Sequence, residues 1–410
     1  MARTAAELPK GIRITDHISL GVITKMFPIE EIKQVLEETG KKSKRQRNLP
    51  AHVLIYYVIA LALYMQVSCR EVLRCLLEGV RWLMGPEATI KVTGRAGISQ
   101  ARVRVGSEPV KLLYDRVVGP IGVRGPEKTT QGTWYRKWRI VSIDGSTLDI
   151  ADTQQNVDAY GKPGASRGAS AFPKIRFVSL VENGTHVLFG SQMSGYHTGE
   201  TTLSKEVVQH LRPEMLCLAD RNFFSYTLWK KSKKTGADLV WRVKKNLILP
   251  CLKRFRGGSY LSKVYPSAKD RRHNSNGIFV RVIEYTLTGM PDAEPVFRLI
   301  TTILEPQEGP AKELAALYHN RWEIENAFDE FKTHLRGGRI ILRSKRPDLV
   351  CQEFYGFLMA HFAVRGLMYE VALKAREDPD RLSYVHAVRV IRRKLALFAA
   401  FPPSGPESIS

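Results

Sequence analysis

Residues Trp138 to Asp152 read WRIVSIDGSTLDIAD, and this stretch decides the fold. It has the texture of a β-strand, yet it carries a carboxylate, Asp144, inside an apolar run. A charge placed there is costly unless it is paired or bound to a metal. Downstream, IRFVSLVENGTHVLFGSQM from Ile175 is also β-rich, and its Asn183-Gly184 pair predicts a tight hairpin turn. GETTLSKEVVQHL then reads as a helix, EMLCLADRNF as a strand ending at the acid Asp220, SYTLWKKSKKTG as a helix with a Gly stop, and ADLVWRV as another strand. The order is strand, hairpin strands, helix, strand, helix, strand. That is the element order of a ribonuclease-H-like mixed α/β sheet.

Working outward, the texture changes on both sides. From about Gly11 to Val118 the pattern is helical: PIEEIKQVLEETG has acids in its first turn and a terminal Gly, and the basic run KKSKRQR follows it. AHVLIYYVIALALYMQV from Ala51 is apolar for about 17 residues, at the short edge of a membrane span. Its tyrosines, its histidine and the charged segments flanking it fit a buried core helix better. CREVLRCLLEGVRWL and GISQARVRVGSEPVKLLYDRVV complete a set of short helices whose outer Arg and Lys residues suit DNA contact. The stretch GPIGVRGPEKTTQGT reads as a linker. The expected divisions are an N-terminal helical DNA-binding domain over 1–120, a linker over 121–138 and a first core segment over 139–243. A β-rich insertion over 244–305, a catalytic-helix segment over 306–346 and a C-terminal helical region over 347–410 follow.

Composition narrows the partner. Lys and Arg total 63 against 40 for Asp and Glu, a formal charge of +23 spread along the chain. That favours a polyanion, most simply nucleic acid. The five cysteines are scattered without a C-x-x-C pair, which argues against a disulfide framework or a structural zinc and for a reducing cytoplasm. The first residues, MARTAAELPKGIR, lack the apolar core of a signal peptide. Neither export nor a membrane is expected.

The segment YHNRWEIENAFDEFKTHLRGG from Tyr318 reads as one helix ending at Gly-Gly. At about 100° per residue, Tyr318, Arg321, Glu325 and Lys332 fall in a stripe roughly 60° wide. Ile324, Ala327, Phe328, Phe331 and Leu335 lie on a neighbouring face suited to a core. Arg321 and Glu325 alone could form an ordinary i,i+4 ion pair, worth a few tenths of a kcal/mol. In a ribonuclease-H-like sheet, however, the strands bearing Asp144 and Asp220 are neighbours, and a strand's carboxyl end opens into a ligand crevice. A third acid from a flanking helix would complete an oxygen-rich cage for hard divalent cations.

The DGST at Asp144, the ADRNF around Asp220 and the Tyr318-(2)-Arg321-(3)-Glu325-(6)-Lys332 spacing within NRWEIE resemble the signature of the DDE transposases of bacterial insertion sequences, in the insertion-sequence-four family. SRGASAFPKIRFVSLVENGTH and ISQARVRVG are also similar to that family, and the likeness runs from about Ile12 to Arg339. It implies a ribonuclease-H-like catalytic core interrupted by a β-rich insertion. It further implies that Asp144, Asp220 and Glu325 are catalytic and hold magnesium, with manganese as the alternative ion. Tyr318, Arg321 and Lys332 would then grip DNA phosphates. The implied activity is cut-and-paste transposition through a hairpin intermediate, on double-stranded DNA with terminal inverted repeats and on target DNA. A homodimer in the synaptic complex and a nucleoid-associated, cytoplasmic location go with it. Trp241 and Phe297 are the candidates for holding a flipped base. The alternatives are a metal-dependent nuclease without strand transfer and a transposase-derived, non-catalytic DNA-binding protein.

Other residues have bland readings. Asp149, Asp152 and Asp329 read as surface or supporting acids. His186 and His197 read as structural histidines rather than metal ligands. YGKPGASRG from Tyr160 lacks the ending of a phosphate-cradling loop and reads as a basic loop touching DNA.

Overall fold

The computed structural model describes residues 20–43, 49–74, 76, 94–125, 129–165, 168–286, 296–337 and 340–394. Most of the basic run KKSKRQR, the extreme N-terminus, much of CREVLRCLLEGVRWL, Cys75 and Gly338-Arg339 lie outside them. So do Ser166-Arg167 of the loop from Tyr160 and the end of the C-terminal tail. The chain divides into two compact units, one formed by 118–329 with 372–381, the other by 1–117, 330–371 and 382–410.

The first of these units is built on one mixed sheet. Its longer strands are β1 (Trp138–Asp149), β2 (Lys174–Glu182), β3 (Val187–Gly195), β4 (Met215–Ala219), β5 (Asp238–Arg242), β6 (Lys253–Phe255), β7 (Ser259–Val264), β8 (Ile278–Tyr285) and β9 (Phe297–Thr301). They lie in the order β3-β2-β1-β4-β5-β9-β8-β7-β6, and Trp134–Tyr135 adds a short antiparallel pairing to β1. β1, β2 and β3 form an antiparallel meander, while β4 and β5 run parallel to β1. This is the ribonuclease-H-like arrangement anticipated from the element order. β4 is buried along its whole length, as a central parallel strand covered on both faces must be.

The insertion does not form a layer of its own. β9 pairs antiparallel with β5, with Leu299 opposite Arg242 and Thr301 opposite Val240, and β8, β7 and β6 continue outward. Without β9, β5 would expose a row of unpaired backbone groups. The insertion therefore completes the core sheet. Trp138, Ile140, Leu216, Leu218, Val240, Ile283 and Leu299 make one continuous apolar face, on which Leu314, Leu317 and Tyr318 of the Ala311–Tyr318 helix pack. Each such side chain, fully buried, is worth about 1.5–3 kcal/mol.

The hairpin between β2 and β3 turns at the expected Asn183-Gly184 but is longer than the tightest turn. Glu182 pairs with Val187, leaving a four-residue loop, Asn183 to His186, in which Gly184 (φ +79°) and His186 (φ +57°) are left-handed. Asn-Gly marks the turn correctly but does not set its length. Tertiary bonds do, as described below.

The second unit is helical. Helix Ala51–Leu63 is buried throughout except at His52, and its tyrosines donate to carbonyls, Tyr56 to Phe27 and Tyr57 to Cys69. Gly356 allows helix Pro347–Ala375 to approach Val58 closely, since a Cβ at Gly356 would meet the Val58 side chain at 2.6 Å. Arg102, expected on an outer face, is instead buried and donates to Gln352, Ser344 and the Leu349 carbonyl. No described helix is long and apolar enough to cross a membrane. The described cysteines Cys69, Cys217, Cys251 and Cys351 are free thiols.

The segment from Tyr318 is not one uniform helix. An α-helix ends at Tyr318, a 3-10 turn spans His319–Trp322, an α-helix spans Glu323–Asp329, and a π-helix spans Glu330–Leu335. The widened turn coincides with a buried cluster in the helical unit, where Arg365 donates to Glu330 and His361 lies 3.5 Å from the same carboxylate. The stripe calculated for one regular helix therefore does not hold: the 3-10 turn separates Tyr318 from Glu325, and the π-helical turn separates Glu325 from Lys332.

Candidate active site

Asp144 sits in β1 beside Ser179 of β2, and its neighbour Ile143 pairs with Ala219 of β4. Ala219 is the last residue of β4, so Asp220 emerges at that strand's carboxyl end, alongside the middle of β1 where Asp144 lies. Asp144 is half-buried, and burial pushes its carboxyl up to about 6. Glu200 and Asp220 add to the rise, while the Gly145 N–H and Arg321 oppose it. The Gly145 N–H donates to its Oδ1 at 2.8 Å.

Arginines stand beside the acids. Arg321, only 8% exposed at its side chain, stands 3.4 Å from Asp144 Oδ2 and 3.6 Å from Glu325 Oε1. The i,i+4 pair with Glu325 thus exists, but the guanidinium is also buried against an acid 177 positions earlier in the chain. A solvated face would not look like this. Arg242, at the end of β5, lies 4.0 Å from Asp220 and over the ring of Phe297. Glu325 keeps a largely open side chain, 49% exposed.

Tyr318 does not present its hydroxyl to solvent as expected of a phosphate grip. The residue is buried and its hydroxyl reaches the Ala219 carbonyl at 3.4 Å, next to Asp220. Burial raises its phenol above the ordinary range. Lys332 falls in the π-helical turn that begins the 330–371 segment of the helical unit. Trp241 is fully buried with its ring against Trp229, which removes it as a holder of a flipped base. Phe297 is half-buried and stacks with Tyr285.

Among the described residues no three His, Cys, Asp or Glu side chains stand close enough together to hold a metal directly. Arg321 is what links Asp144 with Glu325. The donor set nevertheless fits a hard divalent cation: all three ligands would be carboxylates, and the raised Asp144 carboxyl marks surroundings that disfavour further negative charge. The two histidines lie elsewhere. His186 is buried 3.3 Å from Asp380, and His197 packs against Gly161 and Tyr196. Asp149 and Asp152 are paired with Lys174 and Lys162.

Three features escaped the sequence reading. Arg242 ends a parallel strand just as Ala219 does, so the strand-end rule that found Asp220 would have found it too. Glu200 crowds Gly145, where a Cβ would meet its carboxyl carbon at 2.7 Å, and no local signal marks it. A cleft of about 480 Å³ lined by Arg221, Asn222, Lys244, Lys245 and Asn246 opens beyond β4 and β5, with cations and amides suited to phosphate oxygens.

Comparison with known proteins shows the family. Residues 136–362, more than half of the chain, match the family model "Transposase DDE domain", and 17–115 match "Insertion element 4 transposase N-terminal". The chain is 26% identical over 391 residues to the transposase InsG for insertion sequence element IS4 of Escherichia coli (strain K12), covering 92% of this chain and 84% of that protein. It is 24% identical over 216 residues to the putative transposase InsZ of the same organism, covering 52% of this chain and 68% of that one. Among solved structures, a piggyBac transposase synaptic complex with hairpin DNA is similar with a TM-score of 0.46 and 12% identity, covering 95% of this chain and 82% of that chain.

Proposed function

Since the chain belongs to the DDE transposases of the insertion-sequence-four family, enzymes that act on DNA with divalent metal ions, we propose that it binds the ends of an insertion sequence and moves the element by strand cleavage and strand transfer. The observation that supports the proposal is buried Arg321 standing 3.4 Å from Asp144 of β1 and 3.6 Å from Glu325, with Asp220 following the end of the neighbouring strand β4.

Asp144, Asp220 and Glu325 would hold the metal, magnesium by preference and manganese as the alternative. Bound there, such an ion supplies charge neutralisation at a scissile phosphate and a more acidic attacking hydroxyl. Water attacks the phosphodiester at the element end, the bond to the 3′ oxygen breaks, and a 3′-hydroxyl is freed. That hydroxyl then attacks the phosphodiester of the opposite strand in line, the flanking DNA leaves on its 3′ oxygen and the element end closes as a hairpin, which a second water hydrolyses to free the 3′-hydroxyl again before insertion into target DNA.

Phosphoryl transfer leaves a protein mainly positioning and electrostatic work. Arg321 lies between two of the acids and would meet the phosphate oxygens as charge builds on them, a task suited to a planar guanidinium. Arg242 would do the same beside Asp220. Lys332 would grip the backbone as a point charge. Tyr318 would reach a phosphate only by giving up its bond to the Ala219 carbonyl. The basic cleft at Arg221, Lys244 and Lys245 would track the strand away from the cut, and the helical N-terminal region would recognise the terminal inverted repeat. A homodimer would pair the two ends.

The test is incubation of the protein with labelled end DNA, magnesium and a target plasmid. Transposition predicts a nicked end, a hairpin on a denaturing gel and label joined to plasmid. Cleavage without hairpin or joining would identify a nuclease instead.

A further inference from the structure

Asn183, the first residue of the loop between β2 and β3, uses every polar group it has. Its backbone N–H donates to Ile140 at 3.1 Å and its carbonyl accepts from the Thr133 hydroxyl at 2.9 Å. Its side-chain oxygen accepts from Ser142 at 2.9 Å, and its amide nitrogen donates to the Asn320 carbonyl at 2.7 Å. A carbonyl can only accept, so the side-chain amide has one workable orientation. Asn183 is fully buried, and the bonds are therefore made away from competing water.

The two side-chain partners have telling addresses. Ser142 precedes Asp144 by two residues on the same strand, so both face the same way. Asn320 immediately precedes Arg321 in the 3-10 turn that leads to Glu325. One amide thus spans the strand carrying the first acid and the turn carrying the arginine that meets it. Gly184 adds a second tie, its N–H donating to Glu323 at 2.5 Å. The loop that makes these bonds is itself fixed. Buried Glu182 accepts from the N–H of Ile121 and Gly122 and from the Thr185 hydroxyl, and it pairs with Arg139.

We propose that Asn183 is a positioning residue for the transposition chemistry: by bridging Ser142 to Asn320 it holds the Arg321–Glu325 segment at a fixed distance from Asp144. This rests on the assignment of Asp144 and Glu325 as the acids of the active site. Residues that orient metal-holding side chains typically change affinity or activity by about 10- to 100-fold when replaced.

The experiment uses the full chain with Asn183→Asp, which keeps the shape and the acceptor for Ser142 but removes the donor to Asn320, beside Asn183→Ala and Ser142→Ala. Four quantities are read: single-turnover end cleavage against manganese concentration, manganese binding by the paramagnetic resonance of the free ion, affinity for end DNA, and thermal unfolding. N183D and N183A should lower cleavage and weaken manganese binding by about 10- to 100-fold while end-DNA affinity is kept, and S142A should shift both in the same direction by less. A purely structural role would lower the unfolding temperature and leave the folded protein's cleavage and manganese binding unchanged, which would overturn the proposal. Should the Asn183 variants not fold, S142A decides, and parent-like behaviour there is the contrary result. Asp144→Asn and Glu325→Gln run alongside. If they still cleave, the active-site assignment falls and this inference with it; if they do not and N183D is normal, this inference alone falls.

Discussion

Arg321 stands at the centre of the candidate site, and its surroundings say what its loss would do. Its guanidinium is buried between Asp144 and Glu325, so Arg321→Ala would leave two acids facing each other without their shared cation and deprive the reacting phosphate of a positioned donor. Removing one such donor costs about 10²–10³ in rate in comparable sites. Arg321→Ala is expected to slow single-turnover end cleavage by that order, and Arg321→Lys to recover little of it, because a single ammonium cannot reproduce the two-pronged guanidinium. Cleavage at the parent's rate in Arg321→Ala would reduce the residue to an ordinary helix ion pair. At this scale much was legible in the sequence. Asp144 announced itself as a charge inside a strand, Asp220 as an acid at a strand's end, and Glu325 by its spacing from Tyr318 and Arg321. The partner of Arg321 was not legible, because spacing along a helix reports neighbours on the helix and not the strand that it faces.

Elements were read well where their residues are selected by local demands and poorly where distant contacts decide. Strands β1 and β4 and the helices that follow them were visible in apolar runs, caps and Gly stops. The breaks in the segment from Tyr318 were not, since the π-helical turn meets Arg365 and His361 from far along the chain. The loop after β2 was foreseen as a turn but not as a four-residue one, because its length serves Ser142, Asn320 and Glu323. Two substitutions test this scale. Phe328 packs edge-on against Phe177 at 5.3 Å, and Phe328→Ala should destabilise by about 3–5 kcal/mol. Gly184→Ala should destabilise as well, since φ is +79° and the new Cβ would meet the Gln131 carbonyl oxygen at 2.4 Å. Thermal unfolding measures both; a parent-like midpoint for Gly184→Ala would mean the loop is not held as described.

At the scale of the whole molecule, the +23 charge and the basic cleft point to many phosphate contacts, whereas the chemistry needs only a few side chains. Affinity for end DNA should fall by on the order of 10³-fold or more between about 50 and 200 mM salt if six or more phosphates are neutralised. A nearly flat dependence would remove DNA as the main partner of that charge. The sequence disclosed the sign and size of this field. It did not disclose that the insertion strands β6 to β9 would join the core sheet edge to edge, because strand partners are chosen by exposed backbone and not by residue type.

The central claim is that Asp144, Asp220 and Glu325 form one metal-dependent active site. Its most direct test is end cleavage by Asp144→Asn, Asp220→Asn and Glu325→Gln, each nearly isosteric, with end-DNA binding measured on the same preparations. All three should lose magnesium-dependent cleavage and keep end binding, because the substitutions remove a ligand charge and leave the basic surface in place. Cleavage at near the parent's rate in any one of them would contradict the account and take that residue out of the site.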